Sequence, residues 1–136
     1  AYRHLMNQAM LGEPIEMWGN PSKAKDIVYV KDFCQMLCKA ITVERESGFY
    51  NVGTGVSVTL KDQIEGIIEV FSPKNKKSKI ILFPNKPDSR EFIMDISNAK
   101  EELGYKPKYY YMDYLKEFKK EMQINRFKEL RNNEPK

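Results

Sequence analysis

The chain has 136 residues, of which 41% are hydrophobic and 31% charged, and its formal net charge is +4. This length suffices for one domain with its own core, and the composition excludes bulk disorder. No apolar run approaches the roughly 20 residues that span a bilayer, and the modest positive charge suits a small anionic ligand at least as well as a nucleic acid.

The chain opens with a predicted helix and a predicted strand. Gly12 should end the helix in a left-handed conformation, and residues 14–18 then alternate as a strand in which Ile15 and Met17 share one side. No N-cap residue precedes the first helical turn, so we expect the chain to begin inside a larger protein. The helix is indicated by apolar residues at helical spacing: Leu5, Met6, Ala9 and Met10.

A second strand is predicted over residues 26–30, followed by a second helix. Asp32 is placed to act as its N-cap, with Gln35 three residues on, and Gly48 should mark its end. One face of this helix is apolar and carries Phe33, Met36, Leu37, Ala40 and Ile41.

The only two cysteines, Cys34 and Cys38, lie four residues apart within this helix. The single histidine, His4, is far away in sequence, so the usual zinc-ligand spacings are excluded. We therefore expect two buried thiols in a reducing cytoplasm.

A short strand over residues 49–52 leads into Gly53-Thr54-Gly55. A dinucleotide-binding turn has the pattern G-x-G-x-x-G, but Val58 occupies the third glycine position, which favours a structural bend. Thr59-x-x-Asp62 is a capping box for the next helix. Its apolar stripe consists of Leu60, Ile64, Ile67, Ile68 and Phe71.

The C-terminal third begins with a lysine-rich loop, residues 74–79, and a strand over residues 79–83 that should be buried. Ser97 is predicted to cap a short helix that Gly104 ends. A last helix over residues 112–131 has an apolar side made of Leu115, Phe118, Met122, Phe127 and Leu130. The pattern as a whole predicts one α/β region, residues 1–131, with short parallel or mixed strands, and a flexible tail, residues 132–136.

Four stretches in this order resemble the C-terminal half of the extended short-chain dehydrogenase/reductases that act on nucleotide-activated sugars: GEPIEMWG, KDIVYVKDF, FYNVGTGVSVTLKD and KPDSREFIMDISNAKEELGYKP. This group includes nucleoside-diphosphate-sugar 4-epimerases and 4,6-dehydratases, and the resemblance covers residues 2–107. It implies a substrate-binding, Rossmann-type enzyme portion in the cytoplasm, with NAD or NADP held mainly by a missing N-terminal half. It leaves a homodimer of the full-length protein open.

The family's chemistry uses Tyr-x-x-x-Lys, in which the lysine lowers the tyrosine pKa so that a phenolate can take a sugar proton. None of the eight tyrosines here is followed four residues later by a lysine. The resemblance therefore implies that this portion alone is inactive, with no catalytic, cofactor-binding or metal-binding residue of its own.

The resemblance also implies a set of substrate-binding residues. Lys25 and Lys86 stand where the family has arginines that meet the pyrophosphate, and Arg90 could supply the planar fork that lysine lacks. Trp18 stands at a position that lines the base pocket, and Asp88 is placed to accept hydrogen bonds from ribose hydroxyls. The implied partner is a nucleoside diphosphate sugar.

Two other functions fit the sequence less well. The lysines in place of arginines are compatible with a non-catalytic relative that senses nucleotides or binds a protein partner. Nucleic-acid binding through residues 74–79 is the weakest alternative, and we expect neither a nucleic acid nor a membrane as a partner.

Overall fold

The computed structural model describes residues 2–44 and 47–125. Helices and strands alternate along most of this length, which confirms the predicted α/β class. The elements are α1 (Tyr2–Leu11), β1 (Ile15–Trp18), β2 (Ala24–Asp26), α2 (Val30–Thr42), β3 (Ser57–Thr59), α3 (Leu60–Phe71), β4 (Ile80–Phe83), α4 (Ser97–Leu103) and α5 (Tyr111–Ile124).

The strands form two short pairs of opposite type. β1 and β4 are parallel, with Ile15 opposite Ile80 and Trp18 opposite Phe83. β2 and β3 are antiparallel. An isolated parallel bridge between Lys25 and Phe92 adds the chain after β4 to the second pair. The predicted short, mixed strands are thus confirmed.

A first core lies between α1, α3, α5 and β1. It includes Ile15 and Met17, which confirms the predicted alternation along β1. The apolar stripe of α3 also faces this core, because Thr59 accepts the Asp62 N–H and starts the helix in the predicted register. The buried members are Met6, Ala9, Ile15, Met17, Ile64, Ile67, Ile68, Phe71, Tyr111 and Leu115.

A smaller second core lies between α2, α4 and the chain that follows α4. Its buried members are Met36, Ile96, Ala99, Leu103 and Tyr105. Gly104 ends α4 in the left-handed conformation, with φ 60°, as the sequence predicts, and directs Tyr105 back into this core. Gly12 ends α1 in the same way, with φ 62°.

The prediction for residues 26–32 is wrong in two respects. β2 ends at Asp26 rather than beginning there, and α2 already begins at Val30 with Tyr29 at its N-cap. Asp32 is therefore in the first helical turn, where it is fully buried. Its carboxylate accepts the backbone N–H groups of Lys108 and Tyr109, so it joins α2 to the chain entering α5.

Three expectations of burial and pairing are also wrong. Both cysteines are exposed. Residues 49–52 belong to no strand within the part of the chain that the structure describes. In β4, Ile81 and Leu82 are exposed, and because successive side chains of a strand point to opposite faces, the described residues leave both faces of β4 uncovered there.

The ends of the last two helices differ in detail from the sequence prediction. Ser97 is the first residue of α4 rather than its cap, and Asp95 accepts the Ser97 N–H instead. α5 ends at Ile124, so the predicted continuation to residue 131, with Phe127 and Leu130, and the predicted tail at 132–136 lie outside the described residues.

Candidate functional site

A cavity of about 600 Å³ opens beside Trp18, between α1, β1, the start of α3 and the loop after β4. Its floor is apolar and is formed by Leu5, Leu60 and Ile64. Its rim is polar and includes Glu16 and Asp88. An apolar floor with a few polar groups around it is the usual character of a small-molecule site.

Trp18 forms one wall of this cavity and is 48% exposed. Its indole Nε1–H donates to Glu16 Oε2 at 2.8 Å, which fixes the ring orientation on the open side of β1. Lys86 Nζ lies 5.0 Å from the centroid of the Trp18 ring, in cation–π geometry. The structure thus places a cation over one face of an aromatic plane at this wall of the cavity.

The loop that carries Asp88 is held at both ends. Asp88 Oδ1 accepts the Asn20 N–H at 2.6 Å, in the turn after β1. Two residues beyond Arg90, Phe92 exchanges backbone hydrogen bonds with β2, and Lys23 forms an ion pair with Glu91 at 3.0 Å. The loop that contributes Asp88 to the cavity is therefore held in place by contacts distant in sequence.

Lys25 and Arg90 stand apart from the other predicted residues. Lys25 does not line the cavity, and its Nζ lies 5.4 Å from the centroid of the Tyr2 ring, at the first turn of α1. Arg90 is exposed, and its guanidinium makes no hydrogen bond or ion pair within residues 2–44 and 47–125. Of the five predicted residues, Trp18 and Asp88 line the cavity, and Lys86 lies over the Trp18 ring without lining it.

Sequence reasoning missed four polar residues that line the cavity: His4, Gln8, Glu16 and Ser89. His4 and Gln8 are four residues apart and therefore share one face of α1. Glu16 shares a side of β1 with Trp18, so the strand alternation itself was a sufficient signal.

A second cavity, of about 630 Å³, lies between α3 and α5 and contains none of the predicted residues. Four carboxylates, from Asp62, Glu65, Glu69 and Asp113, line it against a single lysine, Lys116. Such a rim repels a diphosphate, so we assign the candidate site to the cavity beside Trp18.

The Gly53-Thr54-Gly55 turn is occupied by an internal carboxylate. The buried Asp26 accepts the backbone N–H groups of Thr54, at 2.9 Å, and Gly55, at 2.8 Å, as well as the Thr54 hydroxyl at 2.6 Å. A dinucleotide-binding turn must leave its N–H groups free for phosphate. The residues of this turn therefore do not fit NAD or NADP, in agreement with a structural bend.

The shifted tyrosine pKa values are all raised, whereas a catalytic phenolate requires a lowered pKa. Burial, and then the nearby Asp32 and Asp26 carboxylates, raise the pKa of Tyr105 to about 12. Burial also raises the pKa of Tyr2, Tyr111 and Tyr114. Each of these hydroxyls is held in its neutral form at physiological pH.

No group of three or more His, Cys, Asp or Glu side chains in the described part of the chain could hold a metal ion. Within the same residues, no helix combines the length and apolar character needed to cross a membrane.

Comparison with known proteins identifies the family. Residues 1–53 match the model of the NAD dependent epimerase/dehydratase family. The chain is 31% identical over 96 residues to dTDP-4-dehydro-6-deoxyglucose reductase of Escherichia coli, which covers 69% of this chain and 29% of the relative. The chain belongs to the NAD-dependent epimerase/dehydratase family.

Other members of the epimerase/dehydratase family agree in sequence and fold. The dTDP-glucose 4,6-dehydratase of Xanthomonas campestris (strain B100) is 26% identical over 110 residues, which are 75% of this chain and 31% of that enzyme. The chain thus spans about three-tenths of the length of these two curated relatives.

Solved structures of this family superimpose on most of the chain. The UDP-glucose 4-epimerase of Thermotoga maritima, solved with UDP-glucose, has a TM-score of 0.71 at 26% identity and matches 90% of this chain and 40% of its own. An epimerase of Methanothermobacter thermautotrophicus has a TM-score of 0.79 at 18% identity, covering 97% of this chain and 39% of its own, which supports the fold.

Proposed function

We propose that this chain is the nucleotide-sugar-binding part of an NAD(P)-dependent sugar-nucleotide epimerase or dehydratase. The observation that carries the proposal is that Trp18 and Asp88 line one apolar cavity, with Lys86 lying over the Trp18 ring. The indole would lie beside the base, the ammonium group near the diphosphate and the carboxylate beside the ribose. Lys25 and Arg90 would approach only when a ligand extends beyond this cavity.

In the complete enzyme, NAD or NADP would supply hydride transfer and would be bound by residues outside this chain. The proposal is supported by the Asp26 carboxylate, which already uses the N–H groups of the glycine turn. It is also supported by the absence of Tyr-x-x-x-Lys from the 136-residue sequence. The described residues contribute binding and orientation.

Calorimetric titration with UDP and dTDP tests the binding site. Lys86→Ala should weaken binding about tenfold, since one charge-assisted contact contributes about 1.5 kcal/mol or more. Lys86→Arg should preserve or strengthen binding, because a guanidinium can hold two phosphate oxygens. The matched control is Lys74→Ala, an exposed lysine in the loop before β4, which should leave the affinity unchanged.

If neither nucleotide binds, or if Lys74→Ala and Lys86→Ala have equal effects, the site assignment is wrong. An oxidoreductase or epimerase assay on the product of the complete gene separates the enzyme from the alternative, a nucleotide-sensing or protein-interaction module. Nucleotide binding without turnover in that product would favour the alternative.

A further inference from the structure

The ammonium group of Lys25 lies over an aromatic ring from another element. Lys25 Nζ is 5.4 Å from the centroid of the Tyr2 ring, at the first turn of α1. The same ammonium group makes no hydrogen bond or ion pair with the residues in 2–44 and 47–125. The Tyr2 ring is therefore the group that attracts this charge within the described part of the chain.

The backbone of Lys25 is fixed on both sides. Lys25 is opposite Val58 in the β2–β3 pair, and an isolated parallel bridge joins it to Phe92. The next residue, Asp26, directs its carboxylate to the glycine turn, so the alternation along β2 sends the Lys25 side chain to the opposite face, towards Tyr2. What remains free is the set of torsions in the long lysine side chain, which the ring contact restricts.

The Tyr2 ring is itself held by a buried amide side chain. The Tyr2 hydroxyl donates to Gln63 Oε1, and Gln63 Nε2 donates to the Val58 carbonyl at 2.6 Å. Val58 is the residue opposite Lys25, so these contacts form a closed loop that begins and ends on the β2–β3 pair. Burial raises the pKa of Tyr2, so its hydroxyl keeps its proton and its bond to Gln63 at physiological pH.

This loop of contacts lies beside the floor of the Trp18 cavity. Leu5 forms part of that floor and stands three residues after Tyr2, on the same face of α1. Tyr2 and Leu5 also pack against the same core. A ligand that extends from the cavity past Leu5, towards the first turn of α1, therefore approaches the ammonium group of Lys25.

We infer that Tyr2 is a positioning residue for Lys25, whose ammonium group the ring holds in advance at the diphosphate end of the proposed binding site. The inference rests on the proposed function, because Lys25 needs a diphosphate to meet. An ammonium group over a ring keeps N–H groups that can donate to phosphate oxygens, so both contacts exist together. Holding the side chain beforehand reduces the entropy that a free lysine loses when it binds. The ring thus supplies some of the direction that lysine lacks relative to arginine.

NMR of the chain with carbon-13-labelled lysine tests the positioning itself. The ε-methylene protons of Lys25, assigned by their loss in Lys25→Met, should be shifted upfield by the ring relative to those of Lys74, which is exposed. Tyr2→Leu should return these protons to the Lys74 value. Tyr2→Phe keeps the ring and should retain most of the shift.

A double-mutant cycle measured by UDP titration tests the role in binding. Tyr2→Leu should weaken UDP binding about threefold to tenfold, since the cation–π contact that holds the lysine is lost. In the Lys25→Met background the same change should alter the affinity less than about twofold, because no ammonium group is left to position. Tyr2→Phe should bind UDP more tightly than Tyr2→Leu does.

Three results would overturn the inference. Lys25 proton shifts equal to those of Lys74 would show that the ring does not hold the ammonium group. Equal losses of affinity in both backgrounds would show that Tyr2 acts through the packing of α1. Tighter UDP binding in Tyr2→Leu would show that the ring withdraws Lys25 from the ligand.

The same titrations separate this inference from the proposed function. If the unsubstituted chain binds UDP and Lys86→Ala weakens that binding, the site assignment stands whatever Tyr2 does. If the chain binds neither UDP nor dTDP, the proposed function is wrong and the role of Tyr2 is wrong with it.

Discussion

The two cores of this protein differ in how completely their helices are covered. α3 in the first core buries one face, including Ile64 and Ile67, and exposes charged residues on the other. α2 beside the second core buries Met36 and leaves a second apolar face open. The helix beside the first core therefore exposes only a charged face, whereas the helix beside the second core exposes an apolar face.

This difference indicates that the first core and the α2 side contribute unequally to the stability of the chain. The first core should hold the fold, and the α2 side should contribute little until it is covered. The substitutions below separate the two regions, beginning with the largest expected effect.

Leu115→Ala should destabilise the 136-residue chain by about 3 kcal/mol, because it leaves a cavity at a fully buried position of the first core. Leu37→Ala, the same change on the exposed face of α2, should cost less than about 0.5 kcal/mol. Urea unfolding followed by circular dichroism measures both. Equal losses would show that α2 is as fully packed as α5 and would remove the contrast.

Asp26→Ala should cost about 2 kcal/mol, since it leaves the N–H groups of Thr54 and Gly55 without an acceptor in a buried turn. Asp26→Asn keeps one acceptor oxygen and should lose less. The comparison is with Asp88→Ala, which removes an exposed carboxylate and should cost under about 1 kcal/mol. Denaturant midpoints at constant m-value provide the test, and a larger loss at Asp88 would contradict it.

Tyr105→Phe should cost about 1 kcal/mol at neutral pH through the lost hydrogen bond to Gly53 C=O. The pKa of Tyr105 is about 12 in the folded protein and 10.0 as its ordinary value, so the folded state retains the proton longer than the unfolded state. Its contribution is therefore complete below pH 10 and declines as pH rises from 10 to 12.

Unfolding free energies measured across that pH range should decline less steeply in Tyr105→Phe than in the unsubstituted chain. Other buried tyrosines with raised pKa values keep part of the decline. An unchanged slope in Tyr105→Phe would mean that this hydroxyl does not titrate differently in the two states.

The sequence predicted well those features that neighbouring residues determine. Gly12 and Gly104 end their helices as expected, and Thr59 starts α3. The sequence prediction was wrong where contacts between distant residues determine the structure. Asp32 resembles an N-cap, but its carboxylate accepts the backbone N–H groups of Lys108 and Tyr109, in a segment about 76 residues away. Helical spacing also cannot distinguish an apolar face that is covered from one that is open, so the exposure of Cys34 was missed.

In the candidate site, too, some features could be predicted from the sequence and others could not. The family resemblance placed Trp18, Lys86 and Asp88 in one site; Trp18 and Asp88 line one cavity and Lys86 lies over the Trp18 ring, while the roles of all three stay predictions. The separate position of Lys25, over the Tyr2 ring, depends on how β2 lies beside α1. No local pattern specifies that arrangement.

The short hydrogen bond from Asn20 N–H to Asp88 Oδ1, at 2.6 Å, has a thermodynamic consequence for ligand recognition. A methyl group at Gly19 would lie 2.6 Å from the same oxygen, so this turn admits the carboxylate only because residue 19 is glycine. The rotamer of Asp88 is thus fixed in advance, and in the proposed site its second oxygen would accept a sugar hydroxyl without a further loss of side-chain entropy. Discrimination between a ribose and its deoxy counterpart should then appear mainly as a difference in binding enthalpy.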